Sequence, residues 1–157
     1  MSDILSVTIQ NKQLRPASSR WLGDLGERMA ANYLSMHGFR LVAANFTCPI
    51  GRNTKGVQVT GEVDIIALEN DTLCFIEVKT RRSAAFTGPL SAVDRRKQRQ
   101  IIRTARVYRR IFGLRDIPLR FDVVTVLIER GEDPFIELVR GFWSEARFRK
   151  KSWTGDI

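Results

Sequence analysis

Cysteine and histidine are scarce in this chain of 157 residues. Cys48 and Cys74 do not form a CxxC pair, and His37 is the single histidine. So few ligands of these types exclude a disulfide framework and argue against a zinc site. Cys74 lies inside an apolar run, which is typical of a small buried thiol. His37 precedes Gly38 at a predicted helix end, where we expect it to cap the helix.

Long hydrophobic segments are missing as well. No apolar run approaches the roughly 18 residues that a membrane-spanning helix needs, and the N-terminus lacks the pattern of a secretory signal. We therefore expect a cytoplasmic protein without a membrane partner. Residues 1–19 and 147–157 show no convincing periodicity, so we expect a flexible N-terminal extension and a basic C-terminal tail around a single domain over 20–146.

Acidic residues are outnumbered by basic ones. The 26 lysines and arginines exceed the 17 aspartates and glutamates, which gives a formal net charge of +9. An imbalance of this size usually reports a polyanionic partner. Nucleic acid is the first candidate, and an anionic membrane surface is the second.

The periodicity of the apolar residues predicts seven elements. Helical spacing predicts helices over 21–38 and 91–112, and β-rich runs predict strands over 39–45, 62–69, 72–80, 119–128 and 135–139. The order α-β-β-β-α-β-β predicts an α/β fold with a central mixed sheet flanked by helices. The stretch between Asn45 and Gly61 is rich in turn residues and is predicted to be a long basic loop.

The two central strands are expected to form a hairpin around Asn70-Asp71, a pair that tolerates the positive φ of a tight turn. With a two-residue turn, Asp64 faces Glu77 and Glu62 faces Lys79. Residues directly opposite share a face of the sheet, with Cβ atoms about 4.5–5.5 Å apart. The hairpin therefore predicts a patch on which two carboxylates and an ammonium converge.

Two facing carboxylates repel each other unless one is protonated or a cation lies between them. A hard divalent ion such as Mg²⁺ is commonly held by one or two carboxylates together with water and substrate phosphate. The alternative is a plain cross-strand ion pair between Glu62 and Lys79 on a solvated sheet face. Apolar residues on both alternation phases argue against it, because they indicate strands covered on both sides.

These stretches carry a resemblance to known proteins. Residues 61–67 read GEVDIIA and residues 75–81 read FIEVKTR, which looks like the D…ExK signature of the PD-(D/E)xK nuclease superfamily. More closely, the chain resembles the YraN family, on the strength of these stretches and of four further elements. The elements are Gly26-Glu27 with Ala30, Asn45, Lys97, and the stretch Arg120-Phe121-Asp122-Val123.

The resemblance implies a restriction-endonuclease-like core, similar to archaeal Holliday-junction resolvases. It also implies a site in which Asp64, Glu77 and the carbonyl of Val78 bind Mg²⁺ or Mn²⁺, while Lys79 orients or helps to deprotonate water. Glu27 would hold a water or a second metal at the edge of the site, its alternative being charge complementarity at the helix N-terminus. The 46–60 segment is longer than the resemblance predicts and is interpreted either as a clamp on nucleic acid or as a disordered loop.

The second helix is strongly basic. Five arginines, namely Arg95, Arg99, Arg103, Arg106 and Arg110, cluster opposite its apolar stripe, whereas Lys97 lies along the stripe and is aimed at the domain. Together with Arg81 and Arg82 these residues are predicted to bind phosphates. The alternative is an ordinary solvated face. Arg120 and Asp122 fit a structural ion pair as well as substrate contacts.

These patterns favour a metal-dependent nuclease, with DNA preferred over RNA as substrate and branched or otherwise structured DNA as one option. A non-catalytic nucleic-acid-binding module with a vestigial site is the alternative. A peripheral membrane or protein adaptor is a third class, which the lack of bulky aromatic anchors on the basic helix disfavours. A homodimer is compatible with the sequence.

Overall fold

The computed structural model describes residues 19–82 and 93–148, which form one mixed sheet with a helix on each face. The elements follow the predicted order. They are α1 (Ser19–Met36), β1 (Phe39–Arg52), β2 (Gln58–Glu69), β3 (Thr72–Arg81), α2 (Arg95–Phe112), β4 (Leu119–Leu127) and β5 (Phe135–Trp143), followed by a 3₁₀ turn over Glu145–Phe148. Most of the predicted extension and tail lies outside the described residues.

The five strands lie in the sheet in chain order. Only β3 and β4 are parallel, and the other neighbours are antiparallel. The parallel pair needs a crossover, which α2 supplies, because a tight turn cannot join parallel strands. The predicted order of elements and the mixed α/β sheet flanked by helices are confirmed.

A hydrophobic core lies on each face of the sheet. The core under α2 includes Phe75, Ile101, Tyr108 and Phe121, and the core under α1 includes Leu34. Strands covered on both faces read as nearly continuous apolar runs, which is the pattern that β2 and β3 show. No helix among the described residues combines the length and the hydrophobicity needed to cross a bilayer.

The predicted long loop over 46–60 is wrong. Strand β1 continues to Arg52 and β2 begins at Gln58, so that the segment is an ordered extension of an antiparallel hairpin. A short turn closes it, in which Asn53 Oδ1 accepts hydrogen bonds from the N–H groups of Lys55 and Val57. The polar and glycine-rich composition of this segment reflects the turn and a bulge between Pro49 and Gly51, and not a long loop.

Other boundaries shift by a few residues. Helix α1 begins at Ser19 and ends at Met36, and β5 extends to Trp143. Residues 91 and 92 of the predicted second helix lie outside the described residues. His37 Nδ1 lies 2.7 Å from the carbonyl oxygen of Tyr33, as expected of a residue at a helix end. Both cysteines are buried and free, in agreement with the prediction for Cys74.

Candidate active site

The hairpin register predicted from the Asn70-Asp71 turn is confirmed over five pairs, from Glu69 and Thr72 to Ile65 and Ile76. Asn70 adopts φ 51°, which is the left-handed conformation that the turn needs. The ladder then ends. In a regular ladder the next hydrogen-bonded pair would be Val63 and Val78. The N–H of Val78 instead donates to Asp64 Oδ2 at 2.8 Å. A side chain has thus replaced a backbone carbonyl as the acceptor, so the two strands part at Asp64.

The opposite edge of β2 is irregular at the same place. Val63 and Ile66 both belong to the core under α2, whereas Ile65 belongs to the core under α1. Strict alternation would put Val63 and Ile65 on one face. The β1–β2 ladder lacks the pair formed by Asn45 and Asp64, and Asn45 adopts φ 51°. This kink in both strands places Asp64 at a break in the sheet.

Glu77 is the buried partner of Asp64. It is 4% exposed, and its Oε1 lies 3.5 Å from Lys79 Nζ, whose side chain is 35% exposed. Burial, and then the charge of Asp64, raise the pKa of Glu77 to about 8, against the lowering effects of Lys97 and Lys79. Neither predicted pair, Asp64 with Glu77 or Glu62 with Lys79, occurs in the ladder, because the strands separate beyond Ile65 and Ile76. Glu62 is exposed and pairs with Thr47 of β1.

Glu77 Oε2 is buried and has no hydrogen-bond donor. The neighbouring carboxylate of Asp64 can bond to it only when one of the two carries a proton. An orphaned, buried anionic oxygen costs free energy unless a proton or a cation compensates it. The carboxylate oxygens of Asp64 and Glu77 therefore fit a hard cation, which would take its remaining ligands from the Val78 carbonyl, water and substrate.

The direction of the Val78 carbonyl follows from the ladder. In an antiparallel sheet the N–H and C=O groups of one residue point to the same neighbour. Since the N–H of Val78 points at Asp64, its carbonyl is directed to the same edge of β3.

Among residues 19–82 and 93–148, no group of three or more histidine, cysteine, aspartate or glutamate side chains forms a preformed metal centre. Any metal here would depend on two carboxylates.

Glu27 of α1 reaches the same region from the other side of the break. Burial raises its pKa to about 7, the charges of Asp64, Asp24 and Glu62 add to that effect, and a hydrogen bond from Asn45 lowers it. Glu27 is therefore close enough to Asp64 to interact electrostatically with it. The sequence offered Asn45 only as part of a resemblance. The structure makes it the hydrogen-bond partner of Glu27, a contact that no sequence pattern indicates.

Gly26 allows α1 to approach the sheet. A Cβ on Gly26 would lie 1.8 Å from Thr80 Oγ1, whereas one on Gly23 would meet nothing within 4 Å. The helix therefore lies against β3 at the residue before Glu27. This close approach holds Glu27 beside the strand that carries Glu77 and Lys79.

Lys97 enters the site from α2. Asp94 caps this helix, its Oδ1 accepting from the N–H of Lys97 at 2.8 Å. The charge of Lys97 lowers the pKa of Glu77, which places the ammonium within electrostatic reach of the carboxylates. Its predicted orientation towards the domain agrees with this position.

The five arginines predicted to form one ridge on α2 have different surroundings. Arg103 Nη2 donates to the carbonyl of Ile50 at 2.6 Å, Arg99 stacks over Phe148, and Arg106 is ion-paired with Glu145. Arg95 and Arg110 are exposed, as is Arg82 at the end of β3, while Arg81 is half-buried. The predicted ridge thus divides into three arginines with contacts inside the domain and two that are exposed to solvent.

The ion pair between Arg120 and Asp122 belongs to a structural network. Arg120 donates to Asp122 Oδ1 at 2.7 Å and to Glu69 at 2.8 Å, and Arg140 also binds Glu69. Asp122 is fully buried and accepts the N–H of Gly141 at 2.9 Å. With its acceptors satisfied inside the domain, this cluster ties β2, β4 and β5 together.

Comparisons with known proteins show the family to which the chain belongs. Residues 26–126 match the family described as "Uncharacterised protein family UPF0102". A UPF0102 protein of Renibacterium salmoninarum is 38% identical over 76% of this chain and 93% of its own length. Another, of Trichlorobacter lovleyi, is 42% identical over 74% of this chain and 84% of its own.

One more relative and one solved structure are similar to this chain. A UPF0102 protein of Caldanaerobacter subterraneus subsp. tengcongensis is 36% identical over 73% of this chain and 86% of its own length. A solved structure titled "Crystal structure of SSO0001" aligns with 20% identity and a TM-score of 0.40, over 83% of this chain and 56% of that chain.

Proposed function

The chain belongs to the uncharacterised protein family UPF0102, the YraN family of the sequence resemblance, and from this we propose that it is a metal-dependent nuclease that hydrolyses phosphodiester bonds of DNA. The family belongs to the restriction-endonuclease-like superfamily, a fold that carries this chemistry. Because a fold alone does not establish an activity, the proposal depends on the residues of the site.

The observation that supports it most is the pair formed by Asp64 and Glu77. Both carboxylates are buried at the point where two strands part, and Glu77 Oε2 has no donor. A structural ion pair would satisfy its acceptors, as Asp122 and Glu69 do within this same domain. The contrast between the two clusters favours a ligand-binding role for the first.

Asp64, Glu77 and the Val78 carbonyl would hold Mg²⁺ or Mn²⁺. The ion would supply positive charge to the attacked phosphate and lower the pKa of a bound water. Lys79, 3.5 Å from Glu77, would orient the attacking water and offset charge on the phosphate. Glu27, with Asn45 as its partner, would hold a water at the edge of the site.

DNA is the proposed substrate because the resemblance is to DNA-cutting enzymes, and branched or structured DNA is included for the same reason. The net charge of +9 suits any nucleic acid. RNA is therefore an outcome that the experiment must be able to report.

The test is cleavage by the purified protein of labelled branched, duplex and single-stranded DNA, and of RNA, with Mg²⁺, Mn²⁺ or EDTA. We expect metal-dependent cutting that falls by roughly a hundredfold or more in Asp64→Asn and Glu77→Gln, which remove charge on metal ligands. Lys79→Gln should lower the cleavage rate, and Lys79→Arg should lower it less. Asp116→Asn, an exposed carboxylate after α2, is the matched control and should cut like the wild type.

Cleavage that persists in EDTA, or in both carboxylate variants, would contradict the proposal. The alternative function, nucleic-acid binding without cutting, is favoured by one observation. Within the described parts of the chain, no third acidic, histidine or cysteine ligand completes a metal centre. Metal-insensitive binding with no cleavage of any substrate would support that alternative.

A further inference from the structure

A groove of about 640 Å³ lies between the tip of the β1–β2 hairpin and the first turns of α2. We name it the hairpin–helix groove. Its charged lining residues are Arg52 from the hairpin and, from the start of α2, Asp94, Arg96, Lys97, Arg99 and Arg103. Five cations and one anion therefore line a single concave surface.

The groove is built by packing between its two walls. Arg103 Nη2 donates to the carbonyl of Ile50 at 2.6 Å, and Gln100 Nε2 donates to that of Thr60 at 3.1 Å. A Cβ on Gly51 would lie 2.5 Å from Arg103 Nη2, so the Arg103 guanidinium lies directly against the hairpin backbone there. Because bonds to both strands hold the hairpin on α2, the groove is part of the folded domain.

The single anion of the groove is already engaged. Asp94 Oδ1 accepts from the N–H of Lys97 as the cap of α2, and so this carboxylate faces the positive end of the helix dipole. Arg96 is exposed, and Arg52 donates through Nη1 to the carbonyl of Gly56 at 2.7 Å, a contact that leaves its positive charge uncompensated. The lining has a surplus of positive charge, which suits several anionic groups along one ligand.

Lys97 connects the groove to the carboxylates. It lines the groove and also interacts electrostatically with Glu77. A ligand that follows the cations of the groove is thereby led to the pair formed by Asp64 and Glu77. A chain of phosphates fits this continuity better than a single anion does.

We propose that the hairpin–helix groove binds the sugar–phosphate backbone of a DNA strand and leads that strand to the carboxylates. This inference rests on the proposed function for the direction of the strand. The lining residues include no aromatic ring on which bases could stack. The affinity comes instead from phosphate neutralisation and counterion release.

The test is the affinity of a fluorescein-labelled single-stranded oligonucleotide, measured by anisotropy in EDTA so that no cleavage occurs. The double variant Arg52→Gln/Arg96→Gln removes one cation from each wall. Each lost phosphate contact on a single strand should reduce the steepness of log K against log salt by about 0.7, so the double variant should lose about 1.4. If the two proteins bind equally at about 1 M salt, affinity at 0.1 M salt should fall about 25-fold.

Arg40→Gln/Arg115→Gln is the matched control. It also removes two positive charges, both from exposed residues outside the groove. We expect it to retain affinity within about twofold and to leave the salt slope unchanged. Melting temperatures of both variants report whether either substitution has disturbed the fold.

The outcomes separate the groove from the nuclease proposal. Loss of affinity and of salt slope in Arg52→Gln/Arg96→Gln alone supports the groove, even when no substrate is cut. Equal losses in both variants, or no loss in the first, would overturn the groove while metal-dependent cleavage could still stand. Failure of the oligonucleotide to bind the wild type would also overturn the groove proposal.

Discussion

The N–H of Val78 donates to Asp64 Oδ2 at 2.8 Å across the gap where β2 and β3 stop pairing. One carboxylate thus has two roles. One oxygen takes the place of a ladder carbonyl, and the group as a whole faces Glu77. The structural role and the proposed chemical role can be separated by the choice of substitution.

Asp64→Ala should destabilise the protein by about 1–3 kcal/mol, because it leaves the N–H of Val78 buried without an acceptor. Asp64→Asn keeps an oxygen at this position and should cost less than about 1 kcal/mol while removing the charge. Urea unfolding of both variants in EDTA measures the difference. If the two variants are equally stable, the bond to Val78 contributes nothing to the free energy of unfolding.

Glu77 should make stability fall as pH rises. Its pKa in the folded state is raised to about 8 from an ordinary value of 4.5, so the folded protein binds more protons than the unfolded chain between these values. Glu77→Gln should therefore be more stable than the wild type at pH 8 in EDTA, by about 1–3 kcal/mol. The two proteins should converge near pH 4.5.

If the carboxylates bind Mg²⁺, the ion should make the wild type more stable than Glu77→Gln at pH 8. A ligand that binds only the folded state raises its stability, so millimolar Mg²⁺ should raise the melting temperature of the wild type at pH 8 and have little effect on Glu77→Gln. Thermal unfolding followed by circular dichroism measures the melting temperatures of the two proteins with and without Mg²⁺. An equal response of the two proteins to Mg²⁺ would place the ion elsewhere.

Glu69 should have the opposite dependence on pH. Hydrogen bonds from Arg140 and Arg120 lower its pKa to about 2, against the opposing effect of burial. The unfolded state then binds more protons between about 4.5 and 2, so this stabilisation is present above pH 4.5 and is lost as pH falls through that range. Glu69→Gln should cost about 2 kcal/mol at pH 7, and the loss should be smaller at pH 3. Chemical unfolding at the two pH values tests this, and a pH-independent loss would be inconsistent with it.

Two glycines of α1 should respond in opposite directions to alanine. Gly23→Ala meets nothing within 4 Å and should stabilise the protein by up to about 1 kcal/mol through helix propensity. Gly26→Ala would bring a methyl group 1.8 Å from Thr80 Oγ1 and should destabilise it by about 1–3 kcal/mol through overpacking. Denaturant midpoints of the pair test the packing of α1 on β3. A stabilising Gly26→Ala would show that the helix can shift without cost.

The hairpin around Asn70 was predictable because its cause is local. A two-residue turn and the alternation of strand side chains determine which residues face each other, and five observed pairs agree with that reasoning. The same reasoning failed beyond Ile65 and Ile76, where the ladder contains neither the predicted pair of Asp64 and Glu77 nor that of Glu62 and Lys79. There the Asp64 side chain ends the ladder, which alternation does not predict.

The segment between Asn45 and Gly61 shows a second limit. Its glycines, proline and asparagine suggested a loop, yet β1 and β2 pair through it as far as Arg52 and Gln58. Hydrogen bonds from Arg103 and Gln100 of α2 hold this hairpin. Those bonds join residues 40 and 53 positions apart along the chain, so no local pattern could predict them.

The sequence by itself determined the order of the elements, the register of the central hairpin, the excess of positive charge and the family. These properties follow from composition, from short-range periodicity and from motifs a few residues long. Only the tertiary structure decided that Asn45 bonds to Glu27, that Lys97 reaches Glu77 and that the hairpin tip lies on α2. The physical reason is that such contacts form when helices and strands distant in sequence pack on one sheet, and the packing depends on the volumes and close approaches of residues such as Gly26 and Gly61.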